Sequence, residues 1–304
     1  MKHNILWIVL LLATSGQLLA QNNIQYTQFF FNKMAYNPAY AGSRETLTFG
    51  AQYRSQWAGV EGAPRTGTIY AHLPFLTNRN GAGLSINNDR IGKISTTTTQ
   101  LSYAYHIEAG TDAKLGIGVS AQFEHRQIDW TRVQVLDVND EDVPTAPQSY
   151  TRPNFGAGLF YSTSRLYLGL SVPQILKNAL FFDNNEAFSP LRSYYLMGGT
   201  MLSLSDAVVF QPNVMLSYNP NAPFEADLNA SFLFVDRLLV GATYRLGDSI
   251  DGVVQYRFSP QFKLGIAYDF TTSELNNYTS GSWEVWLEYS LTKQEEGLQH
   301  LRFF

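Results

Sequence analysis

Hydrophobic residues along this chain alternate rather than cluster. Leu115, Ile117, Val119, Ala121 and Phe123 are set against Gly116, Gly118, Ser120 and Gln122. Phe262, Leu264, Ile266, Tyr268 and Phe270 stand against Lys263, Gly265, Ala267 and Asp269, and Trp283, Val285, Leu287, Tyr289 and Leu291 have Glu284 and Glu288 between them. A period of two puts apolar side chains on one face of a strand and small or polar ones on the other. Segments of this kind, each about ten residues long and bounded by turn chemistry, predict about fourteen strands, and that length suits a tilted strand crossing an outer membrane. Their centres fall near Phe49, Ile69, Ile86, Leu101, Val119, Leu159, Leu168, Met197, Phe210, Ala230, Ala242, Val254, Ile266 and Leu287.

The connections sort by length. Odd-to-even links are long, as in Ala58 to Pro64, Ile128 to Arg152, Pro173 to Ser189 and Thr271 to Ser280. Most even-to-odd links are tight, as in Glu108 to Thr111, Thr163-Ser164, Ser205-Asp206, Val235 to Arg237 and Ser259-Pro260. Long loops on one side and short turns on the other predict a barrel with short periplasmic turns, long external loops and both termini in the periplasm. A soluble sandwich has no reason to sort its loops, and a β-helix requires a fixed repeat that the chain lacks. The fold class read from the sequence is therefore all-β: a transmembrane antiparallel β-barrel of about fourteen strands in the cell outer membrane. Within one long link, Gln174 to Phe182 fits either a short helix or a hydrophobic loop lid.

Ahead of the first strand the pattern changes twice. Lys2 and His3, the apolar run Ile5 to Ala13, the polar break Thr14-Ser15-Gly16 and the small residue Ala20 read as a signal peptide cleaved between Ala20 and Gln21. The apolar run is about half the ~20 residues of a spanning helix, and no later segment approaches that length. Residues 21–45 form an aromatic-rich segment without strand or helix period, periplasmic or lumenal, and residues 46–304 form the barrel. In that segment Pro38 fixes φ and removes a donor while Asn37 is pushed out of the helical region, so an extended or turning lead-in is expected. Three adjacent rings, Phe29, Phe30 and Phe31, call for burial. The segment packs at the periplasmic mouth, enters the lumen or binds a partner.

Composition narrows the function. Charged residues make up 15%, aromatics 14%, and the formal net charge is −4, so there is no basic footprint for nucleic acid. The 304 residues include no Cys, so beyond the inner membrane the chain relies on closure and packing instead of disulfides.

Candidate chemistry is sparse. Alternation puts His72 with Thr68 and Tyr70, and His106 with Ser102, on the lumen face; a hydrolase centred on either His is the sharper reading, ordinary lumen polarity the plainer one. His125 lies on a later strand. The acidic loop Asp137 to Asp142 has oxygen ligands suited to Ca²⁺ but lacks the EF-hand glycine and the glutamate at its twelfth position, so no metal site is assigned. Neither is a cofactor. Glycines recur within strands, among them Gly81, Gly83, Gly116, Gly118, Gly156, Gly158 and Gly265, and predict bulges, bends and room inside a closing sheet rather than a phosphate loop. Tyr103, Tyr105, Tyr161, Tyr194, Tyr195, Tyr218, Tyr244 and Tyr268 fit interface girdles, with a sugar-binding track as the alternative. Gln52, Arg54, Asp227, Asn229, Gln255, Arg257, Lys263, Asp269, Glu284 and Glu288 face inward, to form a plug-like network or line a water channel.

The run Phe29 to Gly42, followed by Gln52-Tyr53-Arg54-Ser55-Gln56-Trp57, resembles the start of the PorP/SprF family, outer-membrane proteins associated with type IX secretion in Bacteroidetes. The signature rests on Tyr36, Asn37, Pro38, Ala39, Gly42, Arg54 and Trp57. The resemblance implies a non-enzymatic accessory component of the type IX secretion system that helps specific cargo proteins reach or stay on the cell surface. It implies as partners other secretion components, cargo C-terminal domains, a peptidoglycan-linked periplasmic protein and membrane lipid. The alternative is a channel or transporter for small or hydrophobic solutes.

Overall fold

The structure is a computed structural model that describes residues 24–291 apart from 45, 77–78, 131–145, 178–179, 183–184, 189–191 and 221. The predicted cleavage site at Ala20 and Gln21, the acidic loop Asp137 to Asp142 and the C-terminal tail lie outside the described residues.

Fourteen antiparallel strands form the wall. They are β1 (Thr48–Ser55), β2 (Arg65–Phe75), β3 (Asn80–Ile91), β4 (Ile94–Glu108), β5 (Lys114–Ile128), β6 (Gln148–Ser162) and β7 (Leu166–Val172). Then follow β8 (Tyr194–Thr200, resuming as Leu202–Ser205), β9 (Val208–Tyr218), β10 (Glu225–Phe234), β11 (Leu238–Arg245), β12 (Ser249–Arg257), β13 (Phe262–Thr271) and β14 (Ser282–Ser290). Each pairs with its chain neighbours, and β1 closes on β14 with Thr48 opposite Ser290 and Ser55 opposite Trp283. Closure removes every free edge, which a membrane requires because lipid cannot satisfy an open ladder. All fourteen expected centres fall inside these strands.

The alternation is turned inside out relative to a water-soluble protein. On β4 Leu101, Tyr103, Tyr105 and Ile107 are exposed on the outer face, while Gln100, Ser102, Ala104 and His106 are buried inside. That arrangement suits hydrocarbon outside and a polar interior. Tyr195 departs from the girdle expectation. Tyr194 and Leu196 face outward, so the pleat turns Tyr195 into the interior, where its ring lies 5.3 Å from that of Tyr36.

Loop lengths sort as the sequence indicates, with two additions at the long-loop end. Gly92-Lys93 joins β3 to β4 and Leu246–Asp248 joins β11 to β12, both tightly. Gly92 has φ +58, the left-handed conformation that a two-residue hairpin favours. In the link after β7 the helix expectation is overturned. Gln174 to Lys177 is irregular, and Leu180–Phe182 pairs with Asn185–Phe188 as a small hairpin. Two adjacent Phe residues favour extended backbone.

Candidate functional site

The barrel's interior is filled by its own N-terminal segment. Residues Tyr26 to Ala41 are almost all buried, and the apolar ones form the main hydrophobic cluster. The segment folds into two single 3₁₀ turns, Lys33–Ala35 and Pro38–Tyr40. Asn37 caps the second, its Oδ1 accepting the Ala39 N–H at 3.0 Å, and Pro38 occupies the first position, where a missing donor costs nothing. Gly42 then takes φ +72 and leads the chain towards β1.

Two charged clusters fix the segment at different heights. Near the long-loop ends of β13, β14 and β1, Glu284 accepts the successive backbone N–H groups of Thr27 (2.9 Å) and Gln28 (3.0 Å). Arg54 donates to Thr27 Oγ1 at 2.7 Å and to Asp269 at 2.6 Å, and lies 3.4 Å from Glu284, while Thr27 Oγ1 donates to Asp269. All five residues are buried, so these bonds offset a desolvation cost that neither carboxylate could carry alone. Near the opposite end of β14, Arg44 pairs with Glu288, which also takes Lys263 at 3.0 Å, and Arg44 Nε donates to Tyr40 OH at 2.8 Å. The segment therefore descends the lumen from its long-loop half to its short-turn end before entering the wall.

Between the clusters the contacts are mainly apolar. Phe31 stacks on Trp286 with centroids 4.5 Å apart, and Trp286 Nε1 donates to Tyr70 OH at 2.9 Å. Lys33 is enclosed: Nζ donates to Phe30 O at 2.6 Å and lies 4.6 Å from the Tyr167 ring centroid. Burial, reinforced by the Arg44 charge, pushes its pKa well below the ordinary lysine value.

The turn from Asn37 to Gly42 rests on a seat of glycines. A Cβ at Gly118 would lie 2.3 Å from Ala39 Cα, one at Gly158 2.1 Å from Asn37 Oδ1, and one at Gly81 1.9 Å from Ala41 O. Gly83 leaves room for Met34. These strand glycines make room for the plug, for its backbone at Gly81 and Gly118 and for its side chains at Gly83 and Gly158, rather than forming bulges. Polar bonds then lock the turn: Asn37 Nδ2 to Leu159 O at 2.8 Å, Ser171 Oγ to Tyr36 O at 2.8 Å, and Gly42 N–H to His72 Nδ1 at 3.3 Å. His106 Nε2 is 2.9 Å from Ala41 O, which makes that nitrogen the donor. Both histidines singled out from the sequence thus hold the plug's backbone. His125 lies on the outer face, 2.9 Å from Thr151 Oγ1.

Tyr36, Asn37, Pro38, Ala39 and Gly42 form the turn, and Arg54 holds the segment's upper end. Trp57 lies apart in the loop after β1, its backbone N–H donating to Ser282 Oγ at 3.0 Å. Sequence reasoning missed the capping role of Glu284 and the inward face of Trp286. The available signal was the pairing of glycines at alternate positions, 81/83, 116/118 and 156/158, one face of small residues across neighbouring strands. Among the described residues no group of three or more His, Asp or Glu side chains is arranged to hold a metal.

The family model described as type IX secretion system membrane protein PorP/SprF matches residues 18–289. No curated protein matches the chain at a significant level. Among solved structures, the CymD monoaromatic hydrocarbon channel is similar, with a TM-score of 0.52 at 14% identity over 88% of this chain and 94% of that one. A TodX monoaromatic hydrocarbon channel mutant gives 0.51 at 11% identity over 84% and 92%. At such identities the likeness speaks for the fold, an outer-membrane barrel.

Proposed function

The chain belongs to the type IX secretion system membrane protein PorP/SprF family, and from that membership we propose that it is an accessory outer-membrane component of that system, supporting secretion or surface attachment of specific cargo proteins. The observation that carries this reading is the filled lumen. A segment anchored by buried ion pairs at two heights and seated on backbone-tight glycines occupies the space a diffusing solute would need. Function then moves to the two ends. The long-loop end is the face offered to cargo C-terminal domains, and the short-turn end is the face offered to periplasmic components, a peptidoglycan-linked protein among them. Presentation of this kind requires no catalytic step.

The competing reading, a channel for small or hydrophobic solutes, requires the plug to leave the lumen. The two are separated by affinity purification of the tagged protein from its own outer membrane in mild detergent, followed by mass spectrometry. Recovery of type IX components or a cargo C-terminal domain is the expected result. A clean monomer that conducts ions overturns the proposal.

A further inference from the structure

Towards the short-turn end, plug and wall enclose a small pocket of about 40 Å³ lined by cations. Lys33 and Arg44 reach it from the plug and Arg237, Arg257 and Lys263 from the wall, while no carboxylate is among its described lining residues. Register places the wall cations in one row. Arg257 lies directly opposite Lys263, and its backbone N–H donates to Arg237 O at 2.8 Å; Glu288 lies opposite Lys263 on the other side. Like charges directly opposite one another destabilise a sheet, so this row calls for a counter-charge.

Glu288 supplies it at one end only, where its Oε1 takes both Arg44 and Lys263. At the other end the one nearby carboxylate among the described residues is Asp236, exposed in the turn between β10 and β11 and acting on Arg257. With Lys33 set aside, Arg44, Arg237, Arg257 and Lys263 therefore face two carboxylates and keep two positive charges over. The donors are within reach of a ligand. Arg237 is exposed and makes no ion pair among the described residues, and the Lys263 and Arg44 side chains retain 15% and 10% of their surface. Gln255, on the same face of β12 as Arg257, is 8% exposed, and its amide makes no hydrogen bond among the described residues. An anion placed here gains charge-assisted hydrogen bonds, which are stronger than neutral ones. Size narrows the class. At about 10–15 Å³ for each water, a volume of about 40 Å³ holds roughly three water-sized groups. That matches a carboxylate, a carbon with its pair of oxygens, entering end-on; a tetrahedral phosphate is larger.

We propose that this pocket binds one carboxylate group arriving from the short-turn side, with Arg237 and the Gln255 amide donating to its oxygens and Arg257 and Lys263 supplying the counter-charge. The group belongs to a small free acid or to a chain terminus or acidic side chain of a periplasmic protein. The second source rests on the reading of this end as a face for periplasmic components, whereas carboxylate binding by the isolated chain does not, so failure of the site and failure of that reading are separate results.

NMR line broadening of isotopically labelled acetate by the full chain, in nonionic detergent and low-chloride buffer at neutral pH, tests this. The further probes are acetamide as the neutral comparison and N-acetylated trialanine with its C-terminus free or amidated. Broadening of acetate and none of acetamide is expected. Loss of one hydrogen bond to the anion predicts about fivefold weaker binding in Arg237→Gln, with a similar loss in Gln255→Leu. Arg165→Gln removes an exposed charge from the turn between β6 and β7 at the same end of the barrel, away from the pocket, and leaves broadening unchanged. The peptides identify the source: a free C-terminus that displaces acetate where the amide does not marks a protein-borne carboxylate, and binding of acetate alone marks a small acid. No broadening of acetate, equal broadening of acetamide, displacement by an equal concentration of chloride, or the same loss in Arg165→Gln as in Arg237→Gln overturns the proposal. The probe panel on the parent protein decides it if a variant fails to assemble.

Discussion

Replacing Gly118 by Ala tests how tightly plug and wall are matched. The new methyl would meet Ala39 Cα and N at 2.3 Å and Pro38 C at 2.6 Å. These are backbone atoms and have no rotamer by which to move aside. Restoring ordinary contact displaces the turn by about 1 Å, and overpacking on this scale costs about 1–3 kcal/mol. If the turn lifts instead, it gives up the bonds from Asn37 to Leu159 O, Ser171 to Tyr36 O, His106 to Ala41 O and Gly42 to His72, at about 1 kcal/mol each. Either route weakens docking by about 3 kcal/mol, a roughly 100-fold rise in the undocked population. Lys33 lies buried within the plug and is a trypsin site that reports undocking. Where opening is fast, cleavage follows the open population, so cutting after Lys33 accelerates about 100-fold while the wall stays intact. Gly252→Ala is the control, because a methyl there meets nothing within 4 Å. Equal cleavage rates in Gly118→Ala, Gly252→Ala and the parent protein would refute the close-packed seat.

Three further outcomes follow from the same geometry. Arg54→Met leaves Glu284 buried without its cation and Asp269 with only Arg245 at 3.9 Å, and lowers barrel stability by about 3 kcal/mol in urea unfolding monitored by heat-modifiable gel migration. Lys33 has a folded pKa well below 10.5, so between that value and 10.5 the unfolded chain binds the extra proton and stability rises with pH; Lys33→Met flattens that slope in melting curves taken from neutral to alkaline pH. Val235 holds φ +47 in the turn between β10 and β11, a conformation that a β-branched residue resists, so Val235→Asn raises stability by about 1 kcal/mol in the same unfolding assay.

The wall was legible because period-two alternation and turn chemistry are local signals. Leu101 and Val119 announce their strands without reference to anything distant. Tyr194-Tyr195 shows the limit: alternation requires the two rings to point opposite ways, and only the register against β7 and β9 fixes which one enters the lumen. The Gly92-Lys93 link escaped the loop sorting because a tight hairpin at the long-loop end leaves no compositional mark beyond one glycine. The plug was harder still. Phe29 to Phe31 state a need for burial without a direction, and Gly118 or Gly158 records an approaching segment only once Ala39 and the Asn37 side chain are known to approach it. Glu284 reads from sequence as one more lumen carboxylate, and its capping of Thr27 and Gln28 bridges more than two hundred and fifty residues.

The central claim is that this outer-membrane barrel keeps its lumen occupied by its own N-terminal segment and works through its surfaces. Single-channel recording of the purified protein in planar bilayers tests it most directly, alongside a variant lacking residues 24–40. The parent protein shows no steady conductance, and the deletion opens discrete, long-lived steps. Steady ohmic conductance in the parent protein, unchanged by the deletion, would contradict it.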